Sequence, residues 1–369
     1  MKTEIMIYTH KKNESHDFYF NGQMVENVDK YNYLGCLFHH KPSKSKKFQI
    51  ETALDSARKA LFKVYQYLKP FGQKLPTIAC HLFDTLVKPV IEYGAEVWSP
   101  GANLNEIDLF ERKFLKNILG VREQTINIAV YGEFGRIPLS YKIKEKAIKY
   151  FIRIHGYQDN PILTQAMKIG RNLHKLGYTT WYGQVLNLIN ELKLDHLINP
   201  DTPTKVTPKI KKLIKSSVFE HYKTIWAGAI AMGHTKVETY KNFKTELKPE
   251  RYLQLPQKNY RIMIARFRSS SHHLAIETGR HTKPLTPKNL RLCKFCNKGD
   301  IEDEHHALLI CDAYLAQRQI FLESIHKVIP KFNEYDTKQQ FRLILTNNNT
   351  EVITQLGKFL VEMQKVREA

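Results

Sequence analysis

Two short β-prone runs, at 4–8 and 17–20, open the chain, and Asn21-Gly22 follows them as a dipeptide suited to a two-residue hairpin turn. Tyr31-Asn-Tyr-Leu-Gly-Cys-Leu-Phe38 predicts a third strand, with Gly35 where another backbone can approach closely. His39 to Lys47 is basic and contains Pro42, Ser43 and Ser45, which predicts a flexible loop. From Phe48 the period changes. Ile50, Leu54, Ala57, Leu61, Val64 and Leu68 recur every three or four residues, the pattern of one amphipathic helix ended by Pro70 and Gly72. A second helix is predicted from Thr77 to about Trp98 with a kink at Pro89, and a third from Leu104 to Leu119, ended by Gly120. Short Pro/Gly connections between the three suggest a small bundle.

Further helices are predicted at about 140–156, 180–196, 206–226 and 236–246, with breaks at Gly132, Gly135, Pro138 and Asn199-Pro-Asp-Thr-Pro203. In 206–226, Lys209, Lys212 and Lys223 lie opposite Val206, Ile210, Leu213 and Ile214, which reads as a solvated outer face. Tyr314, Ile320, Phe321, Ile325 and Val328 predict a helix reaching to Pro330, and Ile353, Leu356, Leu360, Met363 and Val366 predict the last one. The expected fold is mainly α, with a small N-terminal β element.

The composition adds charge to this picture. Fifty-seven Lys and Arg stand against 36 Asp and Glu, a net +21 over 369 residues. A hydrophobic content of 42% supports real cores, so the charge speaks to a polyanionic partner and not to disorder. No apolar run approaches the roughly eighteen residues of a membrane span, and the start has no signal-peptide pattern. Five cysteines, three of them clustered, fit a reducing intracellular compartment, nucleus or cytoplasm, with Cys36 and Cys80 as buried free thiols. There is no Gly-rich phosphate loop, G-x-S-x-G or H-E-x-x-H pattern. The most lopsided stretch, 258–298, holds ten Lys and Arg with Glu277 as its only acid, which suits contact with phosphate. Tyr260 and Phe267 interleave with these charges and read as core residues, not stacking platforms.

Cys293, Cys296, His306 and Cys311 form the pattern C-x2-C-x9-H-x4-C. Two thiolates three positions apart fold back over one ion, and a distant His–Cys pair closes the tetrahedron. All four ligands come from protein, so the predicted Zn2+ is structural. His305 competes with His306 for the third position. Asp300, Glu302, Asp303 and Glu304 read as the acidic first turn of a short helix, which favours His306, and Cys311 must lie at or past the end of that helix.

Several stretches together resemble the region downstream of the polymerase centre in non-LTR retrotransposon reverse transcriptases. Met1-Lys-Thr-Glu-Ile-Met-Ile7 looks like the segment after the family's palm carboxylates, and Tyr33-Leu-Gly35 looks like its primer-grip strand. Val87-Lys-Pro-Val-Ile-Glu-Tyr-Gly94 with Val97-Trp98 is similar to a thumb pattern. Arg266-Phe-Arg268, His273-Leu274, Ile276-Glu277 and Gly279-Arg280 precede the metal ligands as they do in the family. Ile301-Glu-Asp-Glu304, His306, Leu308, Leu309, Cys311, Tyr314 and Arg318 follow its zinc-knuckle consensus, which selects His306.

The resemblance implies a palm remnant with primer-grip-like strands over 1–47, a helical thumb-like bundle over 48–121 and a helical connector over 122–257. A basic segment with the CCHC zinc knuckle follows over 258–325, then C-terminal helices over 326–369. It implies binding of RNA or an RNA–DNA duplex, with Lys44, Lys46, Lys47, Arg261, Arg266, Arg268, Arg280 and Arg291 gripping phosphate. The family's adjacent palm aspartates have no counterpart, so the chain is not expected to polymerise DNA alone. Two alternatives stand beside this reading. One is a truncated gene model of a full RNA-directed DNA polymerase, whose palm and fingers would be the missing partners. The other is a domesticated protein-interaction module.

Overall fold

In the computed structural model, the structure describes residues 3–7, 17–71, 75–156, 160–198, 206–233 and 236–368. Met1-Lys2, Tyr8, Gly72 and the expected break at 199–203 lie outside the described residues.

The strands β1 (Glu4–Ile5), β2 (Phe18–Phe20) and β3 (Gln23–Asn27) form a sheet in the order β1-β3-β2, with β1 parallel and β2 antiparallel to β3. The expected Asn21-Gly22 turn is there, both residues at positive φ, and it sets the register Phe20↔Gln23. The stretch 31–38 is not one strand. It folds back on itself as β4 (Lys30–Tyr33) and β5 (Cys36–His39), turning at Leu34 (φ 49°) and Gly35 (φ 78°). What approaches Gly35 is not a backbone but the Tyr93 ring, 2.7 Å from where a Cβ would sit. The Tyr93 hydroxyl also donates to the Leu34 carbonyl (3.0 Å), so a distant side chain fixes a turn that Leu-Gly does not announce.

The helices follow as α1 (Pro42–Leu68), α2 (Pro76–Leu82), α3 (Lys88–Ile91), α4 (Ala95–Trp98), α5 (Asn105–Leu119), α6 (Asn127–Phe134), α7 (Leu139–His155) and α8 (Pro161–Lys175). They continue as α9 (Trp181–Glu191), α10 (Pro208–Ala231), α11 (Lys258–Arg268), α12 (Ala275–Thr278), α13 (Leu315–Val328), α14 (Thr337–Thr346) and α15 (Thr350–Glu368). The expected basic loop at 39–47 is mostly the first turn and a half of α1. A proline costs nothing at a first helical position, where its missing N–H has no partner to lose. The kink expected at Pro89 takes the form of a wider π turn, Phe83–Val87, which re-seats the ladder before a residue that cannot donate. The same run breaks again at Gly94 (φ 62°), so the helix does not reach Trp98 unbroken.

Five helices were not expected: α6, α8, α11, α12 and α14. Asn160 caps α8 through Oδ1, which accepts from the N–H groups of Ile162 and Leu163 at 3.1 Å each, and Pro161 starts it. Asp336 caps α14 by accepting from the Gln339 N–H at 2.8 Å. Gly132 sits inside α6 because the Tyr240 hydroxyl and the Trp226 ring press on the place of its Cβ, at 2.4 and 3.1 Å. Conversely, the helix expected at 236–246 is only a short 3-10 turn, Tyr240–Asn242.

By contact the chain divides into two compact units, each assembled from separated stretches. The first comprises Met1–Tyr65, Leu82–Glu111 and Pro138–Tyr222. Within it α7 packs against α4, α8 and α9, and its core is aliphatic and aromatic: Leu54, Val64, Phe83, Ile107, Ile143, Phe151, Val185 and Ile214 are buried. Asp108 accepts from the Ser140 N–H (2.9 Å) and hydroxyl (2.7 Å), and Glu111 from the Leu139 N–H (2.9 Å). Together they cap α7, whose own N-cap, Pro138, cannot. Lys209 and Lys212 on α10 are exposed, as a solvated face requires.

The second unit comprises Gln66–His81, Arg112–Ile137 and Lys223–Ala369. Here α11 and α13 pack on α15, and Tyr240, Phe267, Leu308, Phe321, Leu356 and Leu360 are buried. Phe267 is core, as expected. No helix of the described residues is long and apolar enough to cross a membrane.

Candidate metal centre

Residues 291–302 form an irregular hairpin. Cys293 N–H donates to the Asp300 carbonyl and Glu302 N–H to the Arg291 carbonyl, both at 2.9 Å, and Leu292 bridges Ile301. The tight turn between them places Cys293 and Cys296 together, and the Phe295 N–H points at the Cys293 sulfur (3.4 Å). Asp303 then accepts from the His306 N–H (2.8 Å) and starts a single wide turn, His306–Ile310. That turn is closed by Cys311 N–H donating to the His306 carbonyl (2.8 Å), a five-residue ring in place of the α-helical four. Five residues of α-helix would leave His306 and Cys311 well out of phase. The wider turn aligns them, and Cys311 is extended (φ −60°, ψ 123°) just past its end.

The donor atoms of Cys293, Cys296, His306 and Cys311 all lie within 4.8 Å of one another. Cys293 Sγ is 3.7 Å from Cys311 Sγ, and Cys296 Sγ is 3.5 Å from His306 Nε2. Metal–sulfur bonds of about 2.3 Å and metal–nitrogen bonds of about 2.0 Å at tetrahedral angles give S···S and S···N edges of about 3.8 and 3.6 Å. The Cys3His set therefore fits a four-coordinate ion by both spacing and chemistry. His305 is not part of it; its ring lies edge-on to Phe341, with centroids 5.6 Å apart.

Burial pushes the Cys311 thiol up to about 12, and it also raises Cys293. For Cys296 burial acts upward too, but the Lys298 N–H and the neighbouring thiols outweigh it and lower the value. Burial lowers His306 against the pull of Asp300, whose carboxylate stands 3.5 Å from Nδ1. Crowded, half-dry thiols resist ionisation by themselves, and a cation is what makes the thiolate form favourable.

Of the acidic run, Asp303 serves the first turn, but Glu302 and Glu304 do not. Glu302 and Glu304 are buried at 3% and 2% exposure, because each closes a network. Glu302 accepts from the Ala275 N–H (2.7 Å) and pairs with Arg367, which also donates to the Tyr314 hydroxyl (2.9 Å) and lies over the Phe295 ring. Glu304 accepts from Thr239 Oγ1 (2.9 Å) and Ser270 Oγ (3.0 Å) and meets His272 Nε2 (2.9 Å). Arg318 ties the ligand turn from behind, donating to the carbonyls of Leu308 (3.0 Å) and Cys311. The roles of Glu302, Glu304 and Arg367 left no signal in the local pattern.

The expected phosphate grip divides. Arg261, Arg268 and Arg291 are buried at 4%, 4% and 7% exposure, on partners within the chain. Arg261 donates to the carbonyls of Leu255 and Pro256, and Arg291 to those of Thr286 and Ile276. Arg268 pairs with Glu133 (2.8 Å) and Glu250 (3.1 Å) and donates to the Leu345 carbonyl. Irregular backbone leaves carbonyls that a five-donor guanidinium satisfies well, which local sequence does not distinguish from a solvent-facing charge. Arg280 is half-buried on Glu277 (2.8 Å). Lys46 is held by the Pro100 carbonyl and Gln184 Oε1. Lys44, Lys47 and Arg266 are exposed, Lys47 loosely paired with Glu51 at 3.8 Å.

Compared with models of protein families, with curated proteins and with solved structures, the chain matches none.

Proposed function

We propose that the chain is a zinc-supported nucleic-acid-binding module of the kind found downstream of the polymerase centre in non-LTR retrotransposon reverse transcriptases. On this reading it holds RNA or an RNA–DNA duplex by its phosphate backbone. The observation that carries it is the clustering of the Cys293, Cys296, His306 and Cys311 donor atoms within 4.8 Å of one another, set by the same run of residues on which the resemblance rests. Zn2+ suits three thiolates and an imidazole, and with four protein ligands it acts as a structural cross-link.

Other residues that carry the resemblance support one another. Tyr93 covers the Leu34-Gly35 turn, and a Cβ at Gly94 would come within 2.8 Å of Cys36 Sγ. Tyr314 and Arg318 brace the ligand turn. A net charge of +21 supports a polyanionic partner, and of the expected phosphate contacts Lys44, Lys47 and Arg266 are exposed, Lys47 beside Glu51 and Arg266 with its Nε donating to the Gly120 carbonyl (2.8 Å). We assign the chain no catalytic residue.

The test is salt-dependent binding of a structured RNA and an RNA–DNA duplex by the zinc-loaded chain. Affinity is expected to fall steeply between low and physiological salt. Replacing Lys44, Lys47 and Arg266 by alanine should reduce the slope of log K against log salt by about 0.7–0.9 for each lost phosphate contact. Binding that ignores salt would sink the reading.

One observation favours the protein-interaction alternative. Ile162, Ile169 and Leu173 are exposed along α8, with Leu176 just beyond its end. A stoichiometric protein partner lost on Ile169→Glu, with no nucleic acid retained, would decide for it.

A further inference from the structure

Helix α8 (Pro161–Lys175) has two faces. Leu163, Met167, Gly170 and His174 are half-buried and make up the inner one. There a Cβ at Gly170 would meet Tyr182 Cβ at 3.2 Å, and the His174 ring lies 6.2 Å from the Tyr182 ring of α9. The outer face carries Ile162, Ala166, Ile169 and Leu173, with Leu176 at the C-cap. All five are exposed: Ile162 and Leu176 at 78% and 73%, Ile169 and Leu173 at 50% and 39%.

These five positions are spaced four, three, four and three residues apart, the alternation of a coiled-coil seam. At about 100° per residue they fall in a strip about 80° wide. Uncharged Gln165 and Asn172 border the strip on one side, and Lys168 and Lys175 stand just beyond them, all four exposed. A bilayer takes a broad apolar face with aromatic anchors, and α8 has neither that breadth nor a Trp or Phe. A strip this narrow fits the seam of one partner helix.

Charge identifies the partner further. From Pro161 to Tyr178 the chain holds Lys168, Arg171, His174 and Lys175 and no acid. Among the described residues Lys168 and Lys175 make no ion pair. A second copy of this chain would bring the same positive side chains to the seam, on top of +21 per chain, so like charge opposes self-pairing. We propose that the outer face of α8 docks an acidic amphipathic helix of a partner protein. The partner's apolar stripe fills the seam at Ile162, Ile169, Leu173 and Leu176. Its carboxylates meet Lys168 and Lys175, whose long stems reach the border of the docked helix. This surface belongs to the first unit and does not rest on the nucleic-acid function proposed above.

The probe is a labelled synthetic peptide of three heptads with leucine at its seam positions and glutamate on the flanks, beside the same peptide with lysine for glutamate. Fluorescence anisotropy reads its binding to the full zinc-loaded chain. The acidic peptide is expected to bind saturably and the lysine peptide not to bind. Ile169→Glu should weaken the acidic peptide by roughly tenfold or more, since the new carboxylate faces an apolar stripe flanked by glutamates. Lys168→Glu with Lys175→Glu should weaken it several-fold and let the lysine peptide bind. Lys209→Glu with Lys212→Glu on α10, the same charge change elsewhere, should do neither. All of these side chains are exposed, so the thermal midpoint of each variant is expected to hold, which separates lost binding from lost folding.

No saturable binding of the acidic peptide overturns the proposal. So does binding that ignores Ile169→Glu or falls equally with the α10 reversal, because general attraction to a basic chain then explains it. Phosphatidylserine vesicles bound in place of the peptide, and lost on Ile169→Glu, would make this a membrane face and overturn it. Concentration-dependent dimers in sedimentation, lost on the same change, would make it a self-contact and overturn it too. RNA affinity is expected to be unchanged by Ile169→Glu, so this surface and the nucleic-acid function fail separately.

Discussion

The two units solve the same problem with different materials. In the first, burial is nearly all hydrocarbon, and its two most buried carboxylates have local duties: Glu111 caps α7 and Glu145 meets Lys149 one turn away. In the second, Glu133, Lys244, Arg261, Arg268, Glu277, Arg291, Glu302, Glu304 and Arg318 are all less than 9% exposed. The second unit contains much irregular chain, from the 3-10 turns at Tyr240–Asn242 and Arg251–Gln254 to the ligand hairpin, and such chain leaves carbonyls unpaired. Buried arginines answer those carbonyls and carboxylates answer the arginines. A helical unit satisfies its backbone internally and needs apolar faces only. The lesson is that in 258–298 much of the excess of basic residues is internal wiring.

The sharpest way to break the comparison is to deny the Cys3His cluster a metal. Strong chelator or Cys293→Ser is expected to release zinc and unfold the region around the hairpin, because binding free energy of about 10–16 kcal/mol in zinc peptides is folding free energy. Hydrogen exchange should then lose protection in 291–314 while α7 and α9 keep theirs. Equal loss in both units would show that they do not differ in what holds them.

Next in size is the buried pair. Arg268→Ala leaves Glu133, at 0% exposure, without its ion-pair partner and should cost about 3–5 kcal/mol in denaturant unfolding. Ile143→Ala in the first unit should cost a comparable amount, about 2–5 kcal/mol, by cavity formation. The distinguishing result is repair. Pairing Arg268→Met with Glu133→Leu should recover most of the loss, since matched hydrophobic replacements of buried ion pairs are often neutral, whereas no charge change repairs Ile143→Ala.

The smallest effect has opposite signs in the two units. Burial pushes Glu92 of the first unit up, against Lys88 and Lys146. The folded state therefore holds an extra proton between the ordinary value of 4.5 and the raised one, and stability there increases as pH falls. For Glu133 burial also acts upward, but Arg268 outweighs it and holds the carboxyl low. Its contribution is full above 4.5 and is lost as pH falls through the lowered value. Protection factors followed from neutral pH downward should rise slightly around α3 and then fall around α6. Glu92→Gln should abolish only the rise.

Much of this was legible from the chain alone. Heptad-like spacing of Ile50 to Leu68 gave α1, Asn21-Gly22 gave the first hairpin, and the spacing of three cysteines and a histidine gave the Cys3His cluster, because each depends on neighbours in sequence. The caps of α8 and α14, Asn160-Pro161 and Asp336, carried an equally local signal that the periodicity hid. Tertiary structure alone decided the rest. Leu34-Gly35 turns because Tyr93 sits on it, and Gly132 stays helical because Tyr240 and Trp226 need the room. Arg268 is internal because Glu133 and the Leu345 carbonyl, far along the chain, meet it, and Arg261 and Arg291 because irregular chain beside them folds its carbonyls back onto them. Charge and periodicity are properties of a segment, but which charge is buried depends on a partner that only the folded chain brings within reach.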